Sequence, residues 1–402
     1  MATPGCTVLP FELLECIIEL LASDPIHGMG SLKACSLACR SLLAITQPRV
    51  FSFISLCSPQ QHSNFKLVLD ANPSIANHVQ SLHYEFIRGR YAHEPSTLER
   101  LRRVTSFALV FPRGIYWETA SASKISSILS FIQSNNIVDL KVFFIQNLPI
   151  SIFWYLPHLK VLDIARLSFA NVPFSDNFST PNEPPKLMSL KIDDCTQETW
   201  VNVIGEHLYS ATPGIAPFLD LSGLEEFTLS LKREGSGHRQ PIKPFLMPSQ
   251  TLKSLSLTGY SNLDFKDLAS NLNRSSLGTL KFVELGVYLK SREDDDPYSR
   301  ITNGLEKIAG KNVLETLTIH VQAPTLLQCL GPSRNNWSQF DQLLSQSHSF
   351  PFLRRVDVKI SLSNMYFNSP RAKSKLEDTG REHFKRLNNN PRLQFSFELS
   401  QL

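Results

Sequence analysis

The chain has 402 residues, a formal charge of +4 from 40 basic against 36 acidic side chains, 42% hydrophobic and 19% charged residues. That basic surplus is too small for a phosphate-tracking surface, which argues against a nucleic-acid partner, and the apolar fraction argues against wholesale disorder. The length exceeds the usual single core and calls for two or three domains or a solenoid that grows by repetition.

Seven cysteines, Cys6, Cys16, Cys35, Cys39, Cys57, Cys195 and Cys329, are odd in number, scattered and without a CxxC pair. They read as reduced thiols of a cytoplasmic or nuclear protein. No Lys or Arg precedes Lys33, and Glu12, Glu15 and Glu19 interrupt the first apolar run, so a secretory signal is not expected.

From Leu9 the chain predicts a helix with Pro10 at its first position, Glu12 at the positive end of the dipole, and Leu13, Leu14, Ile17, Ile18 and Leu21 at helical spacing. A polar break, Ser23 to Gly30, ends it, and Ser31 is the expected cap of a second helix, Leu32 to Thr46. Its apolar positions are Leu32, Cys35, Leu37, Cys39, Leu42 and Leu43. A unit of roughly 40 residues lies at the limit of independent folding without metal or disulfides, so an apolar protein partner is implied. Cys35 and Cys39 are four residues apart, but no histidine or further cysteine stands at zinc spacing, and no metal is expected.

The string Leu9-Pro10-x-Glu12-Leu13-Leu14-x-x-Ile17-Ile18-x-x-Leu21, followed by Leu32-Lys33-x-Cys35-Ser36-Leu37-x-Cys39-Arg40-Ser41 and then Phe51 and Ile54, resembles the F-box in the form common in fungal proteins. The resemblance covers about fifty residues and implies binding to a Skp-type adaptor, and through it to a cullin and ubiquitin ligation. Leu42 stands where the family has a tryptophan, which keeps the apolar character and loses aromatic area. On this basis 1–58 is an F-box-like helical domain, 59–78 a helical linker or N-terminal cap, and 79–402 a repeat domain with a C-terminal cap.

Beyond the linker one pattern recurs, Leu-x-x-Leu-x-Leu with conservative substitutions. Clear copies start at Leu159, Leu187, Leu224, Leu252, Leu280, Leu314 and Leu353, and weaker ones at Val79, Val104 and Leu140, the last with Phe143 and Ile145 as its partners. Three steps equal 28 residues, while Leu187 to Leu224 is 37 and Leu314 to Leu353 is 39, so extra residues loop out. The predicted fold is α/β: the helical segment, then a leucine-rich-repeat-like solenoid with parallel strands on the concave face and helices or irregular segments on the convex face. The copies lack the asparagine that commonly follows the triplet, so the resemblance is to the irregular repeats joined to F-boxes.

Return helices are expected at Ala122–Asn135, Gln197–Leu208, Phe265–Asn273, Tyr298–Ala309 and Trp337–Ser345, and surface loops at Phe169–Lys186 and Lys232–Gln250. The uncharged stretch Val142–Leu159 is broken by Gln146, Asn147, Pro149 and Pro157, and reads as strand, turn and strand rather than a membrane span. Lys373–Leu387 reads as a helix, and Leu393, Phe395, Phe397 and Leu399 alternate as a closing strand.

Gly304 to Lys311 has the wrong glycine spacing for a phosphate loop, Glu293 to Asp296 lacks the glycine and distal glutamate of a calcium loop, and no GxSxG, HExxH or GxGxxG occurs. The expectation is a non-catalytic ubiquitin-ligase subunit that needs no cofactor. Its target-contact positions are the outward strand residues Asp163, Lys191, Asp193, Thr228, Ser230, Ser256, Thr258, Thr318, His320, Asp357 and Lys359. A scaffold acting outside ubiquitin ligation, or an enzyme whose site joins distant residues, are the competing readings.

Overall fold

The computed structural model describes residues 9–24, 26–86, 97–170, 183–194, 218–231, 242–260, 265–289, 297–323, 335–362 and 370–401. The chain divides into two compact units, Met1–Ile145 and Gln146–Leu402. The expected helix Gln197–Leu208 and the acidic run at 293–296 lie outside the described residues.

The first unit opens with helices α1 (Phe11–Ala22), α2 (Gly28–Ala38) and α3 (Arg40–Val50). Pro10 precedes the first turn as its cap, its carbonyl accepting the N–H groups of Leu13 and Leu14 at 3.1 and 3.2 Å. The expected Leu32–Thr46 helix is two helices, because Cys39 is fully extended (φ −160, ψ 166) and starts α3 afresh. Nor does α2 wait for Ser31: it begins at Gly28, after Asp24 Oδ1 has accepted the N–H groups of Ile26 and His27 at 2.8 and 3.0 Å. The His27 bond, followed by that of Ile26, holds the Asp24 carboxyl below its ordinary value. Only glycine fits at residue 28, since a Cβ there would lie 2.2 Å from the Leu21 carbonyl oxygen.

Strand β1 (Phe53–Leu56) follows, then α4 (Pro59–Ala71) and a 3-10 turn Pro73–Asn77, which together fill the segment expected to be a helical linker. β1 pairs in parallel with β2 (Ser81–Glu85), and β2 with β3 (Ser106–Tyr116), so strand pairing begins at Phe53 and not at Val79. Helix α5 (Ala122–Ser134) and β4 (Asp139–Gln146) follow, the unit ending at Ile145 within β4. In β4 the inward residues are Leu140, Val142 and Ile145, whereas Phe143 is half-buried. The positive φ of 64° at Phe144 interrupts the alternation that the Leu140-Phe143-Ile145 reading assumed.

The second unit holds β5 (Val161–Ala165), β6 (Ser189–Asp193), β7 (Glu226–Ser230), β8 (Ser254–Tyr260), β9 (Phe282–Tyr288), β10 (Thr316–Ala323), β11 (Arg355–Leu362) and β12 (Gln394–Gln401). They lie side by side in chain order, every neighbouring pair parallel and one-to-one in register. Each clear triplet supplies one strand of this unit: Leu162 and Ile164, Leu190 and Ile192, Phe227 and Leu229, Leu255 and Leu257, Val283 and Leu285, Leu317 and Ile319, and Val356 and Val358 are all buried. The leading leucines are buried in the preceding turns. A strand whose alternate side chains point one way gives one apolar face, and parallel stacking joins these faces into one core.

The connections supply the rest of that core. Helices α6 (Pro297–Glu306) and α7 (Asn335–Ser345) fall where returns were expected, while Phe265–Asn273 forms only a 3-10 turn and one short helix, Leu268–Asn271. After β4 comes a 3-10 helix, Ile150–Tyr155, in place of an expected strand. Near the C-terminus the expected single helix is α8 (Pro370–His383) plus a short turn Lys385–Asn388.

Asp341 of α7, 3% exposed, secures that turn by accepting the N–H groups of Arg386 at 3.1 Å and Leu387 at 2.8 Å. Burial outweighs those hydrogen bonds and raises its pKa above the ordinary 3.8. A raised carboxyl pKa contributes stability at low pH that is lost as pH climbs through the folded value. Thermal unfolding across pH should therefore show wild type losing stability relative to Asp341→Asn above pH 3.8. Parallel curves for the two proteins would refute this.

Candidate functional site: an apolar stripe and a polar sheet face

The first unit presents a helix with two apolar faces. At about 100° per residue, α1 divides into three sectors. Leu14, Ile18 and Leu21 form the inward sector, with Ile18 only 1% exposed. Glu12, Glu15 and Glu19 form an acidic one, and Glu19 forms an ion pair with Arg49 of α3. Leu13, Ile17 and Leu20 form the third, and they are 49%, 44% and 75% exposed.

Of the other residues expected to face an adaptor, Leu9, Pro10, Leu37, Cys39 and Leu43 are exposed, and Cys35 and Leu42 are half-buried. Leu32 is covered within its own unit at 2% exposure, as Ile18 is, so both belong to the interior and not to a docking surface. Sequence reasoning omitted Phe11 and Leu20, which are 52% and 75% exposed; the helical spacing that gave Leu13 and Ile17 also gives Leu20. Among the described residues Cys16, Cys35, Cys39 and Cys57 are free thiols, and no three His, Cys, Asp or Glu side chains are placed to hold a metal ion.

In the second unit the outward residues stand in rows across the sheet. One row runs Asp163, Lys191, Thr228, Ser256, Glu284, Thr318, Asp357 and Ser396; the next runs Ala165, Asp193, Ser230, Thr258, Gly286, His320, Lys359 and Glu398. All eleven expected target-contact residues thus share one face. Asp357 is the exception in access, at 4% exposed, because Arg355 bonds it at 2.7 Å and Ser396 at 2.5 Å. Burial pushes the Asp357 carboxyl up, but the Arg355 and Ser396 hydrogen bonds and nearby cations outweigh it and hold the pKa below normal. Across the face Lys191 meets Asp163 at 3.4 Å and Lys359 meets Glu398 at 3.9 Å. Phe282, Glu284 and Glu398 occupy equivalent outward positions that the sequence reading passed over.

Ser256, Glu284 and His320 invite an enzymatic reading, with Ser256 Oγ 2.9 Å from Glu284 Oε2 and His320 Nε2 3.4 Å from Glu284 Oε1. The carboxylate stands between hydroxyl and imidazole, so the imidazole is not in place to take the serine proton, as nucleophilic activation demands. Partial burial lowers the His320 pKa from 6.5, against the raising effect of Glu284. The stability this implies is present above pH 6.5 and lost as pH falls through the folded value. In acid titrations followed by circular dichroism, His320→Gln should retain more of its stability than wild type; identical curves would dismiss the effect.

No protein-family model and no curated protein matches this chain. Among the described residues no helix is long and apolar enough to cross a membrane.

Proposed function

We propose that this chain is the non-catalytic substrate-recognition subunit of an SCF-type ubiquitin ligase. In this reading α1–α3 dock on a Skp-type adaptor and so on a cullin, while the polar sheet face of the second unit holds a target protein. The supporting observation is the exposed Leu13, Ile17 and Leu20 stripe, on a helix whose other apolar stripe already serves the interior. Water-facing apolar side chains in a contiguous row on a short helix mark a surface awaiting a protein partner. The F-box resemblance, which takes in Leu13 and Ile17 of this stripe, points to a Skp-type adaptor as that partner.

The mechanism is positional. Holding a target beside a ubiquitin-charged enzyme raises the local concentration of its lysines, which requires no reactive group on the holder. The test is co-elution of the purified full chain with a recombinant Skp-type adaptor, and of that pair with a cullin, in size-exclusion chromatography. Separate elution of chain and adaptor would overturn the proposal.

A further inference from the structure

The outward face of β5–β12 is acidic, although the chain as a whole is basic. Its rows carry Asp163, Asp193, Glu226, Glu284, Asp357 and Glu398 against Lys191, Arg355 and Lys359, on a chain of formal charge +4. Each of those three cations lies near a carboxylate of the same face, at 3.4, 2.7 and 3.9 Å, and the rows hold six carboxylates against these three cations. The lysines that precede β8 and β9 do not cancel it either, since Lys253 and Lys281 pair with Glu225 at 2.7 Å and Glu315 at 2.9 Å.

A second, independent observation lies on a central strand of this face, at the row where the strands begin. Phe282 points outward from β9 and is 48% exposed, among neighbours that are otherwise hydroxyls and charges. Glu226 shares its row two strands away, and Glu284 lies two residues further along β9. With strands about 4.8 Å apart and about 3.3 Å of rise per residue, the Cα atoms of both glutamates lie within about 10 Å of that of Phe282, on the same outward face. An exposed aromatic ring flanked by carboxylates is the arrangement that holds a cationic side chain, because the ring face is negative and the carboxylates add charge pairing.

We infer that the outward face of β7–β9 receives a basic polypeptide segment, with a lysine or arginine side chain over the Phe282 ring and beside Glu226 and Glu284. This rests on reading the second unit as a target receptor, and it gives the target a chemistry. Electrostatic pairing of this kind chiefly sets selectivity and encounter rate, so it should weaken as salt is added.

The test uses the full chain without adaptor and a fluorescent peptide of alternating Arg, Lys and Ser, followed by anisotropy. Binding to this peptide, and not to an acidic peptide of the same length, is expected, together with weakening as ionic strength rises. Phe282→Ala should lower affinity by roughly two- to fivefold, and the charge-reversing pair Glu226→Lys with Glu284→Lys by about tenfold or more. Glu284→Gln, which adds no charge, should give a smaller loss, and Glu118→Lys, an exposed change in the first unit, should give none. Equal binding of basic and acidic peptides, or undiminished binding by the Phe282 and Glu226/Glu284 variants, would overturn the inference. Adaptor co-elution reads other residues, so failure here and failure of the proposed docking remain distinguishable.

Discussion

Leu13→Asp combined with Ile17→Asp is expected to abolish adaptor capture while leaving the fold intact. Both side chains are roughly half exposed, at 49% and 44%, so their replacement removes little from the interior. Burying the remaining half of each is worth roughly 1 kcal/mol on the scale of 1.5 to 3 for a whole side chain. Each aspartate would in addition carry an unpaired carboxylate into an apolar seam, at a cost of several kcal/mol. At about 1.4 kcal/mol per tenfold, the affinity should fall at least about a hundredfold. Ile18→Asp is the contrasting variant: at 1% exposure it should unfold the unit and not merely free it of a partner. Capture of the double variant at wild-type level, with its circular dichroism unchanged, would refute the docking surface.

Phe384→Ala should be the most damaging single change in the second unit. The ring is fully buried and stacks on Trp337 at 4.9 Å, with Phe395 at 5.4 Å, Phe397 at 6.0 Å and Phe340 at 6.2 Å. Removing a buried phenylalanine costs about 3 to 5 kcal/mol. In a unit of this size that should lower the melting temperature by roughly 10 °C. Amide exchange should quicken first in β12, which rests on this aromatic cluster, before β5–β9 respond. Phe352→Ala, at a position 53% exposed, should leave the melting temperature almost unchanged. A Phe384→Ala protein as stable as wild type would show that the cluster fills space without supporting the strand.

What could be read in the sequence was whatever period two imposes. Leu-x-x-Leu-x-Leu places alternate side chains on one face, and all seven clear copies are strands because each apolar row has no other way to leave water. The shared face of Asp163, Lys191, Thr228 and their neighbours followed from the same rule. Breaks without a breaker residue were not legible: Cys39 is extended although neither Gly nor Pro stands there. The start of α2 had a signal in Asp24, whose side chain turns the chain ahead of Gly28, but Ser31 offered the more familiar pattern. β1 is only four residues long, and its pairing with β2 depends on residues about 28 positions away, which no local window holds. Burial of Asp357 likewise depends on Ser396 of the next strand, 39 residues on.

The connections between strands differ in length, yet the pairings they lead to do not. Ser256 meets Glu284 across a separation of 28 residues, and Ser361 meets Ser400 across 39, in the same one-to-one alignment. Distance along the chain is thereby uncoupled from position on the sheet. A connection can lengthen without moving any strand, and an outward side chain can change without touching the apolar layer beneath it. A lineage carrying this architecture is free to rewrite what it grips one position at a time, while its interior stays as it was.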